Sequence, residues 1–229
     1  MEKLPKKRWL GGIEIIHEDK DVLVVDKPPG LLTMGTGKLD VKTAYYILTD
    51  YVRKGYSKSR NRIFIVHRLD KGTSGVLIFA KNEKAKLSLQ AQWGTTEKKY
   101  LAVVHGQFKD KAGTITSYLT ENKANVVYST NDAKEGKLSH TAYKVIKETK
   151  YFSLLEINLI TGRKNQIRVH LADRGHPVVG DEKYGRRKED KLYKRMALHA
   201  KSVSFNHPYS GKRLTFETKF PGYFGYLLK

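Results

Sequence analysis

Short apolar runs alternate with turns too brief to hold a crossover helix, and this spacing constrains the fold more than any other feature of the chain. Residues 13–16 and 22–25 read as strands split by a polar stretch, and 63–66 and 76–80 as a second pair around a polar loop. Further β-rich runs follow at 98–104, 114–119, 140–146 and 152–159, with late strands at 196–205 and 213–218. Three helices are expected among them. The first covers 41–52, with Ala44, Ile47, Leu48 and Tyr51 on one face; the second runs to about Gln92 from an Asn82 N-cap; the third spans about 165–174, with Gly175 placed to end it and Pro177 just beyond. The stretch 27–37, KPPGLLTMGTG, is a loop. Strands outnumber helices and many neighbours are joined by short turns, which predicts an α+β fold with a mixed, mainly antiparallel sheet. At 229 residues, without internal repeat or linker, the chain reads as one domain, 1–229, with its core at about 13–220.

Charge narrows the function. Lys and Arg number 44 against 23 Asp and Glu, a formal net charge of +21. So basic a chain repels itself, and a polyanionic partner is the natural explanation. The charge is also clustered: Arg53, Lys54, Lys58, Arg60 and Arg62 form one group, and Lys183, Arg186, Arg187, Lys188, Lys191, Lys194 and Arg195 another. Neither group lies on an amphipathic apolar face, so RNA or DNA is favoured over a membrane surface. No apolar run of 18 residues exists to span a bilayer, and the basic start MEKLPKKRWLGG lacks the apolar stretch of a signal peptide. With no cysteine, disulfides and thiolate metal sites are excluded, and the cytoplasm is the expected compartment.

Two segments concentrate chemistry. In HRLDKGTSG (67–75), His67, Arg68, Asp70, Thr73 and Ser74 crowd between two apolar strands. Asp70 alone reads as a turn aspartate, but the density of polar groups around it exceeds what a turn needs. In TGRKNQIRVHL (161–171), a Thr-Gly-Arg turn feeds a helix start suited to phosphate, with Arg163, Arg168 and His170 as further donors. Taken alone, that segment is as well explained as a solvated basic helix. GDEKYG (180–185) is a Gly-bounded turn, and His199 reads by default as a hydrogen-bonded core residue.

HRLDKGTSG followed by VLIFAKN resembles the signature of the RluA family of pseudouridine synthases. DKPPGLLT (26–33), EKKYLAVVHG (97–106), TGRKNQIRVHL with GHPVVGDEKYG (161–185) and LHAKSVSFNHP (198–208) occur in that family's order. The resemblance covers about 13–220 and implies the pseudouridine synthase fold, a long mixed sheet with a central active-site cleft. It implies that Asp70 is the catalytic aspartate, Tyr100 the tyrosine packing on the target base, and Arg168 the arginine paired with that aspartate. Arg68 would fill the gap left by the flipped nucleotide, and Leu198 would lie under the base. His67, Thr73, Arg163, Asn165 and His170 complete the expected RNA-binding set. Asn165 stands where the family usually has His, and the small RNA-binding domain carried by many relatives is expected to be absent. The implied substrate is transfer RNA, large-subunit ribosomal RNA, or both, and the implied state is a monomer.

The reaction such a family performs moves a base from nitrogen to carbon linkage on one ribose, without gain or loss of atoms. No cofactor or metal is expected, and the sequence has no dinucleotide fingerprint, P-loop or HExxH. The base must be flipped out, at a cost of a few kcal/mol that stacking recovers. Asp70 could attack the anomeric carbon or remove the proton at the ribose 2′ carbon. Two rivals are a ribonuclease using His67 and His170, and a non-catalytic RNA-binding module. The first leaves the Asp70 block unexplained, and the second has no use for Asp70, Tyr100 and Arg168 together.

Overall fold

The computed structural model describes residues 8–35, 42–56, 58–186 and 188–229. Val41 of the expected first helix, residues 36–37 of the expected loop and Arg187 lie outside them. In chain order the strands are β1 (Arg8–Leu10), β2 (Ile13–Glu18), β3 (Val22–Lys27), β4 (Phe64–Ile65), β5 (Ser74–Ala80), β6 (Glu97–His105), β7 (Ala112–Glu121), β8 (Val127–Thr130), β9 (Lys137–Glu148), β10 (Phe152–Leu159), β11 (Leu198–Asn206) and β12 (Arg213–Glu217). The α-helices are α1 (Ala44–Arg53), α2 (Glu83–Ala91), α3 (Gln166–Asp173) and α4 (Gly222–Leu227). The α+β class is as expected. Two compact units emerge, one of Met1–Thr96 with Ser202–Thr218, the other of Glu97–Lys201 with Lys219–Lys229.

In the first unit β2, β3 and β5 pair antiparallel in that order, with β1 on β2 and β4 on β5, and Ser202–Asn206 of β11 pairs with β12. The runs VLVV and GVLIFA are apolar without alternation because both faces of β3 and β5 are covered. Val22, Val24, Val76 and Ile78 pack with Ala85 and Leu89 of α2 and with Val203 and Phe205 of β11. Asn82 caps α2, its side chain accepting from Ala85 N at 2.8 Å, as its sequence position predicts. At the Lys27–Gly75 end of the β3–β5 pair the chain turns into two loops, and these carry Asp70.

In the second unit the order is β6-β10-β9-β7-β8, all antiparallel, with Tyr100 opposite Ile157. Helix α3 packs Val169 against Leu119 of β7 and Val127 of β8, with Tyr184 alongside. Gly175, at φ +77, ends α3 in the left-handed conformation expected of it. The bounds of GDEKYG are glycines for want of space: a Cβ at Gly180 would collide with the Arg195 carbonyl oxygen, and one at Gly185 with the Asp181 carbonyl oxygen.

Strands β1 and β8 and helix α4 are not anticipated by the sequence pattern. β8 is a four-residue run inside polar sequence, too short to show a period. α4 holds two glycines in six residues, a composition that argues against a helix on propensity.

Candidate active site

Asp70 is half-buried on the segment between β4 and β5, and that segment is fastened from two sides. Thr33 Oγ1 donates to Leu69 O at 2.9 Å and accepts from Leu69 N at 3.2 Å, so one hydroxyl grips both backbone groups of the preceding residue. Gly30 N donates to Lys71 O at 2.8 Å, and Thr73 N to Asp70 O at 3.1 Å. Beneath lies Lys27, fully buried, its Nζ donating to Pro28 O and Leu31 O, each at 2.9 Å, and to Lys71 O at 3.4 Å. Burial pushes its ammonium down to about 8, against the pull of the Asp70 and Asp26 carboxylates. At neutral pH it therefore stays largely protonated, a fixed cation satisfied by three carbonyls and coupled to Asp70. Sequence reading assigned no role to Lys27 or Thr33. The signal was a lysine ending an apolar strand run just before Pro-Pro-Gly.

The neighbours of Asp70 divide. Arg68 is exposed. His67 is half-buried, stacked on Trp93 at 4.3 Å between ring centroids, and its Nε2 accepts from Ile78 N at 3.1 Å. Thr73 is buried, at 2% exposure, and its backbone N–H closes the turn onto Asp70 O.

In the second unit Arg168 projects from α3 into a built network. Its Nε and Nη2 donate to the two carboxylate oxygens of Asp181, both at 2.7 Å, and its Nη1 to Asn165 Oδ1 at 3.0 Å. The guanidinium lies 5.0 Å from the Tyr184 ring centroid. Asn165 Nδ2 donates to Tyr184 Oη at 3.1 Å, which also accepts from Val127 N at 3.1 Å. Asp181 is buried, and its Oδ1 accepts from Lys183 N at 2.9 Å and Tyr184 N at 3.0 Å. The GDEKYG turn is thus the socket of Arg168. Asn165 stands at the α3 N-cap at φ +54, a conformation asparagine tolerates, with its amide used at both ends.

Tyr100 on β6 and Leu198 on β11 are buried, at 9% and 3% exposure. Arg163 is exposed, but its backbone N–H already donates to Gln166 Oε1 at 3.0 Å, so this donor of the expected phosphate cradle is spent.

His170 is fully buried, its Nε2 3.0 Å from Ser117 Oγ and its Nδ1 2.9 Å from Thr141 Oγ1. Both ring nitrogens thus face hydroxyls of the core. Burial pushes His170 down to about 4, and does the same to His199, a buried core residue as read by default. Unfolded histidine protonates near 6.5, so between pH 6.5 and 4 the unfolded chain binds more protons and stability falls as pH falls. By this linkage each ring should remove about 2 kcal/mol by pH 5. Thermal melts at pH 7.5 and 5 should show a smaller acid loss for His170→Gln than for wild type. Equal losses would mean that the folded state protonates His170 as readily as the unfolded one.

One further cluster has the donors of a metal site: Asp19, Asp21 and His207. Asp19 Oδ2, however, lies 2.8 Å from His17 Nε2 and 3.1 Å from His207 Nε2. His207 Nδ1 accepts from Tyr209 N and Ser210 N, at 3.3 and 3.2 Å, which places its proton on Nε2. His207 therefore donates to Asp19 and turns its lone pair to the backbone of its own turn.

Residues 21–173 match the family model for RNA pseudouridylate synthase. An RNA pseudouridine synthase of Bacillus subtilis, described as uncharacterised, is 38% identical over 212 residues, covering 91% of this chain and 69% of that protein. The chain belongs to the RNA pseudouridine synthase family. A ribosomal large subunit pseudouridine synthase C of Rickettsia bellii is 36% identical over 216 residues, covering 92% of this synthase and 69% of its relative. The solved structure of human RNA pseudouridylate synthase domain containing 4 superposes with a TM-score of 0.76 at 24% identity, covering 92% of this chain and 90% of that one. The synthase is therefore an isomerase acting on RNA, in the α+β fold of its family. No helix among its described residues is long and apolar enough to cross a membrane.

Proposed function

We propose that this synthase isomerises specific uridines of structured RNA, with Asp70 acting on the ribose of a flipped nucleotide. The observation that carries the reading is the fastening of the Asp70 segment. A half-buried carboxylate on a segment whose backbone is gripped at Leu69 and Lys71 by Thr33, Gly30 and the Lys27 ammonium starts from a fixed place, which is what a group that must meet one carbon of one sugar requires. Tyr100 supplies the stacking ring, Leu198 an apolar wall, and Arg168 is the arginine that the family resemblance pairs with the aspartate. Arg68 fills the space the nucleotide leaves. The Arg168 network supports a positioning duty for Asn165, whose amide orients Arg168 and Tyr184 where a histidine is usual.

Large-subunit ribosomal RNA is the first substrate to examine, since a relative covered over 69% of its length is named for it, and transfer RNA is the second. The cysteine-free chain suits the reducing cytoplasm where such RNA is made. Pseudouridine should be mapped in total RNA from a strain lacking the gene and from its parent. Loss at one or a few discrete uridines is expected. Identical maps in ribosomal and transfer RNA would contradict the proposed substrates.

A further inference from the structure

We infer that a basic cavity in the first unit, at the end of β3 and β5 remote from Asp70, holds a backbone phosphate of the substrate RNA. The inference rests on the reading of the chain as an enzyme of structured RNA. The cavity has a volume of about 300 Å³, and Lys20, Lys54, Arg62 and Lys81 line it together with Tyr51 and Glu18.

Its electrostatics favour an anion. Glu18 is the acidic residue of the lining, and it is already occupied: Tyr51 Oη donates to its Oε2 at 2.7 Å and Lys81 Nζ to its Oε1 at 2.9 Å. Lys81 also donates to Asp19 O at 2.7 Å, which fixes it as part of the wall. Lys20, Lys54 and Arg62 are exposed cations at the mouth. The Arg62 guanidinium lies over the Phe64 ring, 4.8 Å from its centroid, a contact that uses none of its N–H donors.

Backbone geometry supplies a second, independent sign. Lys54 caps α1 at φ +54, in the left-handed region that favours glycine, although Gly55 follows at once. A side chain kept where glycine would relieve strain points to use of that side chain.

Position then separates this site from the chemistry. Lys81 N donates to Asp21 O at 2.8 Å at one end of the strand pair, and Gly75 faces Lys27 at the other. Six residues of extended strand span roughly 20 Å. Only an RNA reaching several nucleotides from its target uridine can occupy both places. Lys58 and Arg60, exposed on the same basic segment, extend the charged surface beyond the mouth, which favours a polymer over a free nucleotide.

The test is filter binding of a long substrate RNA between 50 and 200 mM salt. A Lys54→Gln/Arg62→Gln protein is compared with Lys84→Gln/Lys212→Gln, which removes two exposed cations elsewhere in the same unit. The cavity variant should bind at least tenfold more weakly at the lowest salt, and the slope of log affinity against log salt should flatten by about 1. A fragment of five nucleotides centred on the target should show no such difference. Lys54→Gly adds a readout that a structural lysine would not give: a higher melting temperature together with weaker binding of the long RNA. A change no larger than that of the control pair, an equal effect on the short fragment, or a lower melting temperature of Lys54→Gly would overturn the inference. So would calorimetric binding of uridine monophosphate lost in the cavity variant while the RNA slope stays unchanged. Tritium release by the wild-type chain reports separately on the underlying reading: RNA held through the cavity without release would contradict the role of Asp70 and leave the phosphate contact standing.

Discussion

Asp181→Asn should destabilise the protein by about 3–5 kcal/mol, the usual cost of removing one partner of a buried ion pair. Asp181 is buried and gives both oxygens to the Arg168 fork. Asparagine keeps the shape and one acceptor, but turns an NH₂ toward an Arg168 N–H, donor against donor, and removes the charge that faces the fork. For a chain of this size the loss corresponds to a fall in Tm of roughly 6–20 °C. Arg168→Lys keeps the charge and loses the fork, so its Tm should fall less, while its turnover should drop sharply because lysine cannot hold the same orientation. A melting temperature for Asp181→Asn within 2 °C of wild type would remove the pair from the structure's supports.

Much of this was legible in the sequence, and the limits have physical causes. Strand β10 was read to the residue, because its apolar run is closed by turn residues at both ends. Asn82 announces its cap by type and place. The Asp70 segment stood out by density of polar groups between two apolar runs. Lys27 did not, because nothing local tells a lysine that ends a strand in solvent from one that turns inward onto three carbonyls. The burial of His170 was hidden for a related reason. It follows Arg168 by two residues, and side chains two apart on a helix point in nearly opposite directions. Arg168 enters its socket, while His170 turns to Ser117 and Thr141 in the core. Asp181 was seen as part of a turn, but its partner lies 13 residues earlier, a separation no periodicity reveals.

Asp70→Asn is expected to abolish turnover while leaving fold and RNA binding in place. The change preserves the shape of the side chain and removes both its charge and its nucleophilic or basic oxygen. The segment should hold, because its fastenings come from Thr33, Gly30 and Thr73 through the backbone of Leu69, Asp70 and Lys71. Lys27 keeps its three carbonyls and loses only one of the two carboxylates that draw its ammonium upward. Binding should be equal or slightly tighter, since a negative charge near a polyanion is gone. A structural aspartate would behave in the opposite way, with a lowered melting temperature and activity retained by the folded fraction. The deciding measurement is release of tritium from RNA labelled at carbon 5 of uridine, which occurs when that carbon joins the ribose, run beside filter binding and a thermal melt on the same preparation. The account predicts background release from a well-folded, RNA-binding Asp70→Asn protein; release at a tenth of the wild-type rate or more would contradict it.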